Sequence, residues 1–222
     1  MAVLYSEKVD DAQRQLSDEL DTATQRLIDE ARIMTSSDLQ APSLLPGWSR
    51  AHVLSHLARG ADAMRNLLTG ARAGRDRPAY SSPQARNADI DRSAAAGAEE
   101  LVDDLVGSAM ALRTVARQLP ATAWRYQVRM LDSPRFPASQ LLARRLAEVE
   151  LHHCDLGIGY GHDQWSAVFG TMALDEPLRS QRTERLSYVQ PESVRVRSMT
   201  RKIPPYRAGQ PLPGSWIGRP RA

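Results

Sequence analysis

Two segments far apart in the chain each place metal-type ligands one helical turn apart, so a fold that uses both must bring two helices side by side. The first reads PGWSRAHVLSHLARG, with His52 and His56, and the second RRLAEVELHHCDLGIGYG, with Glu148 and His152. Residues i and i+4 on an α-helix lie about 40° apart and stack one above the other. Two such helices in contact can close three ligands around one cation. Three protein ligands with an open fourth position is the arrangement of a catalytic zinc rather than a structural one.

The rest of the chain reads as a scaffold for these helices. Val9, Leu16, Leu20, Ala23, Leu27 and Met34 recur by threes, fours and sevens, which predicts a helix from about Ser6 to Met34. A second helix starts after Ser49, a good N-cap, and runs to about Gly70 with Val53, Leu57, Met64 and Leu68 on its buried stripe. Residues 71–89 carry glycine and two prolines and read as one long loop. Ile90, Ala94, Leu101, Leu105, Leu112 and Leu119 predict a third helix, ended by Pro120. The fourth begins near Pro137 and stops at the glycines of GIGYG. Aromatic residues make up only 5% of the chain against 42% hydrophobic, a balance that favours packed helices over a β-sandwich. The expected fold is mainly α: a four-helix bundle over residues 1–162, with its ligands between facing helices. Residues 163–222 are expected to form a small α+β domain. In it VRVRSMTRK (194–202) alternates like a strand, and the proline-rich end is irregular or poorly ordered.

Several function classes are disfavoured at this level. The net charge is +3, with both signs interspersed over the first 160 residues; a nucleic-acid binder gathers its basic residues on one stripe. The single cysteine, Cys154, excludes an intramolecular disulfide and fits a reducing compartment. No run approaches the roughly 20 apolar residues of a membrane span, and the N-terminus lacks the apolar core of a signal peptide. The expectation is a soluble cytoplasmic protein, monomer or homodimer, without nucleic-acid or membrane partners.

Helical-wheel positions separate the candidate ligands. Glu148, His152 and Asp155 share one edge of their helix, whereas His153 lies roughly 140° from Glu148. His56 sits about 60° from Val53, and His52 about 100° from it, so His56 is the nearer to the core and His52 belongs at the rim. Ordinary roles compete with metal binding: Glu148 paired with Arg144 or Arg145 as a solvated charge, or a simple Glu–His hydrogen bond. Cys154 points about 160° away from the Glu148–His152 edge and reads as a small buried hydrophobe, not a nucleophile. There is no nucleophile elbow, phosphate-cradling loop or paired CxxC motif.

LPGWSRAHVLSHLARGADAMRNLL and RRLAEVELHHCDLGIGY together resemble the two motifs of the mycothiol-dependent maleylpyruvate isomerases, which belong to the DinB-like metal-dependent helical bundles. The resemblance covers roughly residues 1–165. It implies a zinc ion held by His56, Glu148 and His152, completed by water or by the sulfur of the cofactor mycothiol. The family's C-terminal domain ends in a helix with a WLtGR-like motif that supplies a catalytic arginine. The counterpart here is GSWIGR, which makes Arg219 the matching catalytic candidate, although Pro211 and Pro213 interrupt the helix that should precede it.

The function so implied is a zinc- and mycothiol-dependent cis–trans isomerase that converts maleylpyruvate to fumarylpyruvate by reversible thiolate addition. Its partners are a small-molecule thiol and a small dicarboxylate, with a substrate carboxylate held by Arg219 or by Arg86 beside the long loop. The alternatives are a mycothiol S-transferase acting on another electrophile and a metal-binding module without catalysis.

Overall fold

The computed structural model describes residues 2–131 and 133–186, with side chains from residue 11 onward. Arg219, the 194–202 segment and the rest of the expected C-terminal domain from residue 187 onward lie outside the described residues.

Eight helices account for most of the described chain: α1 (Ala2–Ile33), α2 (Ser36–Gln40), α3 (Arg50–Arg72), α4 (Pro83–Ala94), α5 (Ala98–Arg117), α6 (Leu141–Asp155), α7 (Ala167–Thr171) and α8 (Leu178–Leu186). A two-residue antiparallel ladder joins β1 (Gln127–Val128) to β2 (Phe136–Pro137), with Val128 opposite Phe136. The four long helices form a closed circuit in which α1 packs on α5 and α6, and α3 on the same two from the other side. Leu27 of α1, Val53, Leu57 and Leu68 of α3, Leu105 of α5, and Leu146 and Val149 of α6 are fully enclosed between them. These are the stripe positions read from the sequence. Each large side chain there stabilises the fold by about 2–5 kcal/mol relative to alanine. None of the described helices is long and apolar enough to cross a membrane.

Two local expectations differ from the structure. The third helix is two helices: α4 closes at Ala95, whose N–H bonds back to Asp91 and Arg92, and Gly97 opens α5 as its N-cap. The apolar stripe stays in register across the break, so periodicity does not reveal it. Correspondingly, the loop is shorter than residues 71–89. Ser82 caps α4 by accepting the Ala85 N–H at 3.0 Å, with Pro83 in the first turn, a serine–proline start signal that the surrounding polar residues obscure.

Past the bundle come a single 3-10 turn (His162–Gln164), α7 and α8, joined by irregular segments. Leu178 of α8 is buried, and Arg182 donates to the carbonyls of Phe169 and Met172. This returns α8 against α6.

Candidate metal centre

Both ligand-bearing helices are fixed at the ends that carry the ligands. Ser49 caps α3, accepting the N–H of His52, and its Oγ lies 2.7 Å from His52 Nδ1. His52 is thereby a capping residue, with Nε2 3.8 Å from the half-exposed Asp91. The loop before α3 is tied to the end of α6: Leu44 N–H donates to the Asp155 carbonyl at 2.8 Å, and Arg50 Nε to the Leu156 carbonyl at 2.8 Å. The start of α3 and the last turn of α6 are therefore locked together. Trp48, at the end of that loop, lays its ring edge-on to His56 with centroids 5.6 Å apart.

Between these helices His56, Glu148 and His152 meet, all three almost fully buried. His56 Nε2 lies 3.1 Å from His152 Nε2 and 3.3 Å from Glu148 Oε1. The imidazole planes are nearly perpendicular, at 85°. The helical-wheel choice of His56 over His52 matches this placement, and so does the exclusion of His153. That ring faces the opposite side of α6, stacked 3.7 Å from Tyr160 with Nε2 3.0 Å from Glu30.

A second layer holds the three side chains. His152 Nδ1 lies 2.9 Å from Asp155 Oδ2, and Asp155 in turn accepts two hydrogen bonds from Arg185 of α8, at 3.1 and 2.8 Å. Arg145 Nη1 donates to Glu148 Oε2 at 2.7 Å. Arg86 Nη2 donates to His56 Nδ1 at 3.0 Å. Burial would by itself raise the Asp155 carboxyl, but the hydrogen bonds and charges of His152 and Arg185 outweigh it and hold the group below the ordinary carboxylate range. His56 is pushed well below the ordinary imidazole range, first by burial and then by the charges of Arg86, His152 and Arg145. It is a neutral ring at physiological pH.

Of these supporting residues, Asp155 was visible on the Glu148–His152 edge. Arg145, offered by the sequence as a partner of a solvated Glu148, is only 1% exposed, and Arg86, the candidate carboxylate holder, is 4% exposed. Arg185 gave no signal in the sequence, because it belongs to a short polar helix with no periodic stripe. Cys154 is buried as expected, accepting a hydrogen bond from Trp165 Nε1 at 3.3 Å.

The donor set suits a borderline divalent ion such as zinc. Tetrahedral bonds of about 2.1 Å leave neighbouring donor atoms about 3.4 Å apart, near the 3.1 and 3.3 Å found here. His152 also presents its proton on Nδ1 to a carboxylate, as metal-bound imidazoles do. However, the three side chains bond to one another, and as they stand no group of three or more His, Cys, Asp or Glu among the described residues is arranged to hold a metal ion. In this arrangement Arg86 donates to His56 Nδ1, which leaves the ring proton on Nε2. A cation at His56 Nε2 requires that proton to leave and Arg86 to release Nδ1. Two cavities of about 550 and 250 Å³ open along α1, and neither is lined by His56, Glu148 or His152.

A family model described as the mycothiol maleylpyruvate isomerase N-terminal domain matches residues 20–157, more than half of the chain. The chain belongs to this family. Its fold also matches two solved structures, a mycothiol-dependent maleylpyruvate isomerase and a histidine-to-alanine mutant of it. Each has a TM-score of 0.68 and 27% sequence identity over 71% of this chain and 65% of the other. The family member described here thus spans about two thirds of that isomerase's length. No curated protein matches it. The family region takes in α3 through α6, the helices that carry His56, Glu148 and His152, and ends before α8 and Arg185.

Proposed function

We propose that the protein is a zinc-dependent enzyme that uses mycothiol to isomerise maleylpyruvate to fumarylpyruvate, with His56, Glu148 and His152 as the metal ligands. The observation that carries this reading is the convergence of those three buried donors between α3 and α6, in a chain of this family. Zinc held by these residues would lower a coordinated thiol's pKa from its ordinary value of about 8.5, and so would supply a thiolate at neutral pH able to add reversibly to a cis double bond.

The chain's own residues set up this chemistry. Asp155, braced by Arg185, keeps the His152 proton on Nδ1 and the Nε2 lone pair turned toward His56. Arg145 holds one Glu148 oxygen and leaves Oε1 toward His56. Burial excludes water from the cluster, which strengthens every charge interaction within it. Arg219, or alternatively Arg86 once released from His56, is the proposed carboxylate-binding arginine, for which the planar guanidinium fork is suited.

The test is metal content and thiol-dependent turnover of the purified protein beside a His56→Ala, Glu148→Ala, His152→Ala triple variant. About one zinc per chain, lost in the variant, and mycothiol-dependent loss of maleylpyruvate are expected. No metal bound and none taken up would overturn the reading. A product that retains the thiol would instead identify an S-transferase, and metal binding without turnover a non-catalytic module.

A further inference from the structure

The cleft between α1 and α5 is a second candidate site, opening on a different face of the bundle from the His56 cluster. It encloses about 250 Å³ and is walled by aliphatic side chains, among them Leu20, Ile28, Val106 and Leu112. That is smaller than the roughly 300–1,000 Å³ of sites for drug-sized molecules, so it suits a short ligand. Arg145 lines it from α6.

Arg145 carries the argument. Its side chain is 1% exposed, and while Nη1 is committed to Glu148, Nη2 is buried without a hydrogen-bond partner among the described residues. A buried guanidinium N–H left unsatisfied is costly, and a carboxylate is the acceptor that best meets it. The lining charges agree, since Arg32, Arg113 and Arg145 face a single acid, Asp21. Asp21 is already engaged by Arg113 Nε and Arg117 Nη2, both at 2.9 Å, and Arg32 pairs with Asp29 at 3.5 Å. That leaves one uncommitted buried donor at the end of an apolar cleft.

We propose that the α1–α5 cleft binds a small aliphatic monocarboxylate, its carboxylate on Arg145 Nη2 and its hydrocarbon between Leu20, Ile28, Val106 and Leu112. A dicarboxylate or phosphate fits less well, because its further charge would lie against the aliphatic walls, and the lining arginines Arg32 and Arg113 are already paired with Asp29 and Asp21. The site stands whether or not the His56 cluster binds metal; the two share only Arg145, whose Nη1 grips Glu148.

The experiment is a titration of the ¹⁵N-labelled full chain with pentanoate and, separately, with the neutral pentanamide, followed by two-dimensional amide NMR. Saturable shifts at α1 and α5 amides around Leu20 and Val106 are expected, with pentanoate binding at least about tenfold tighter than the amide. Arg145→Met should bring pentanoate down to the level of pentanamide. Because that change also unpairs Glu148 and can unfold the protein, Ala109→Phe serves as an independent test: it fills the cleft from α5 without altering Arg145, and should abolish both titrations. Equal affinity for the two compounds, wild-type pentanoate binding by Ala109→Phe, shifts confined to other helices, or no shifts at all would each overturn the proposal.

Discussion

At the residue scale, one turn of α6 assigns opposite chemistry to neighbours. His152 faces the ligand cluster, His153 stacks on Tyr160, and Cys154 lies beneath Trp165. Burial, aided by the charges of Asp155 and Glu150, pushes the Cys154 thiol up to about 12. Native protein should therefore react with iodoacetamide at pH 8 about a thousandfold more slowly than unfolded protein, whose thiol titrates near 8.5; rapid native alkylation, read by mass spectrometry, would contradict this. Asp155 carries the opposite effect. Its carboxyl is held low in the folded state, so its contribution to stability is present above about pH 4, the unfolded value, and is lost as the pH falls from there through the folded value. Asp155→Asn removes the charge that accepts two hydrogen bonds from buried Arg185 and should cost about 3–5 kcal/mol near neutral pH. In urea unfolding followed by circular dichroism, the gap between variant and wild type should narrow below pH 4.

At the element scale, the close approach of α3 and α6 depends on Gly60. A Cβ built there would stand 3.0 Å from both Glu148 carboxylate oxygens and 3.1 Å from Arg145 Nη1. Neither side chain can easily retreat, since each is pinned by the other in the bundle interior. Gly60→Ala gains about 1 kcal/mol of helix propensity yet must displace the Glu148–Arg145 pair. The expected outcome is a small net change in unfolding free energy with at least a tenfold loss of zinc affinity, measured by competition with a chromophoric chelator. Unchanged affinity would show that Glu148 is not held in place from α3. The need for glycine at this point was not legible in the sequence, because nothing in LARGADAM says which helix crosses there.

At the scale of the whole molecule, the buried centre gathers Arg86, Arg145 and Arg185 around Glu148 and Asp155. These charges come from α4, α6 and α8, so occupation of the centre bears on the stability of the entire fold. A divalent ion that binds only the folded state stabilises it by about 2.7 kcal/mol at a hundred times its dissociation constant. For a chain of this size, zinc should then raise the melting temperature by roughly 5–10 °C, as read by calorimetry. The rise should vanish in the His56→Ala, Glu148→Ala, His152→Ala variant; an equal rise in both proteins would place the ion elsewhere. Arg185 extends this dependence past the bundle, since the two-pronged contact with Asp155 secures α8 to the end of α6.

The long helices, their buried stripes and the core-ward faces of His56, Glu148 and His152 follow from periodicity, because a 3.6-residue repeat places side chains on faces before any partner is known. The family's two motifs fall on those same helices. The break between α4 and α5 escaped because both halves keep one apolar register, and a stripe records a face rather than continuity. What only the tertiary structure decided was the environment of the charges. Arg86, Arg145 and Arg185 look in the sequence like any solvated arginine, and they become buried because distant helices close over them. Arg86 with His56 and Arg185 with Asp155 join separate helices, so those pairings exist only once the bundle has formed, whereas Arg145 and Glu148 are neighbours on α6 and only their burial is decided by the fold.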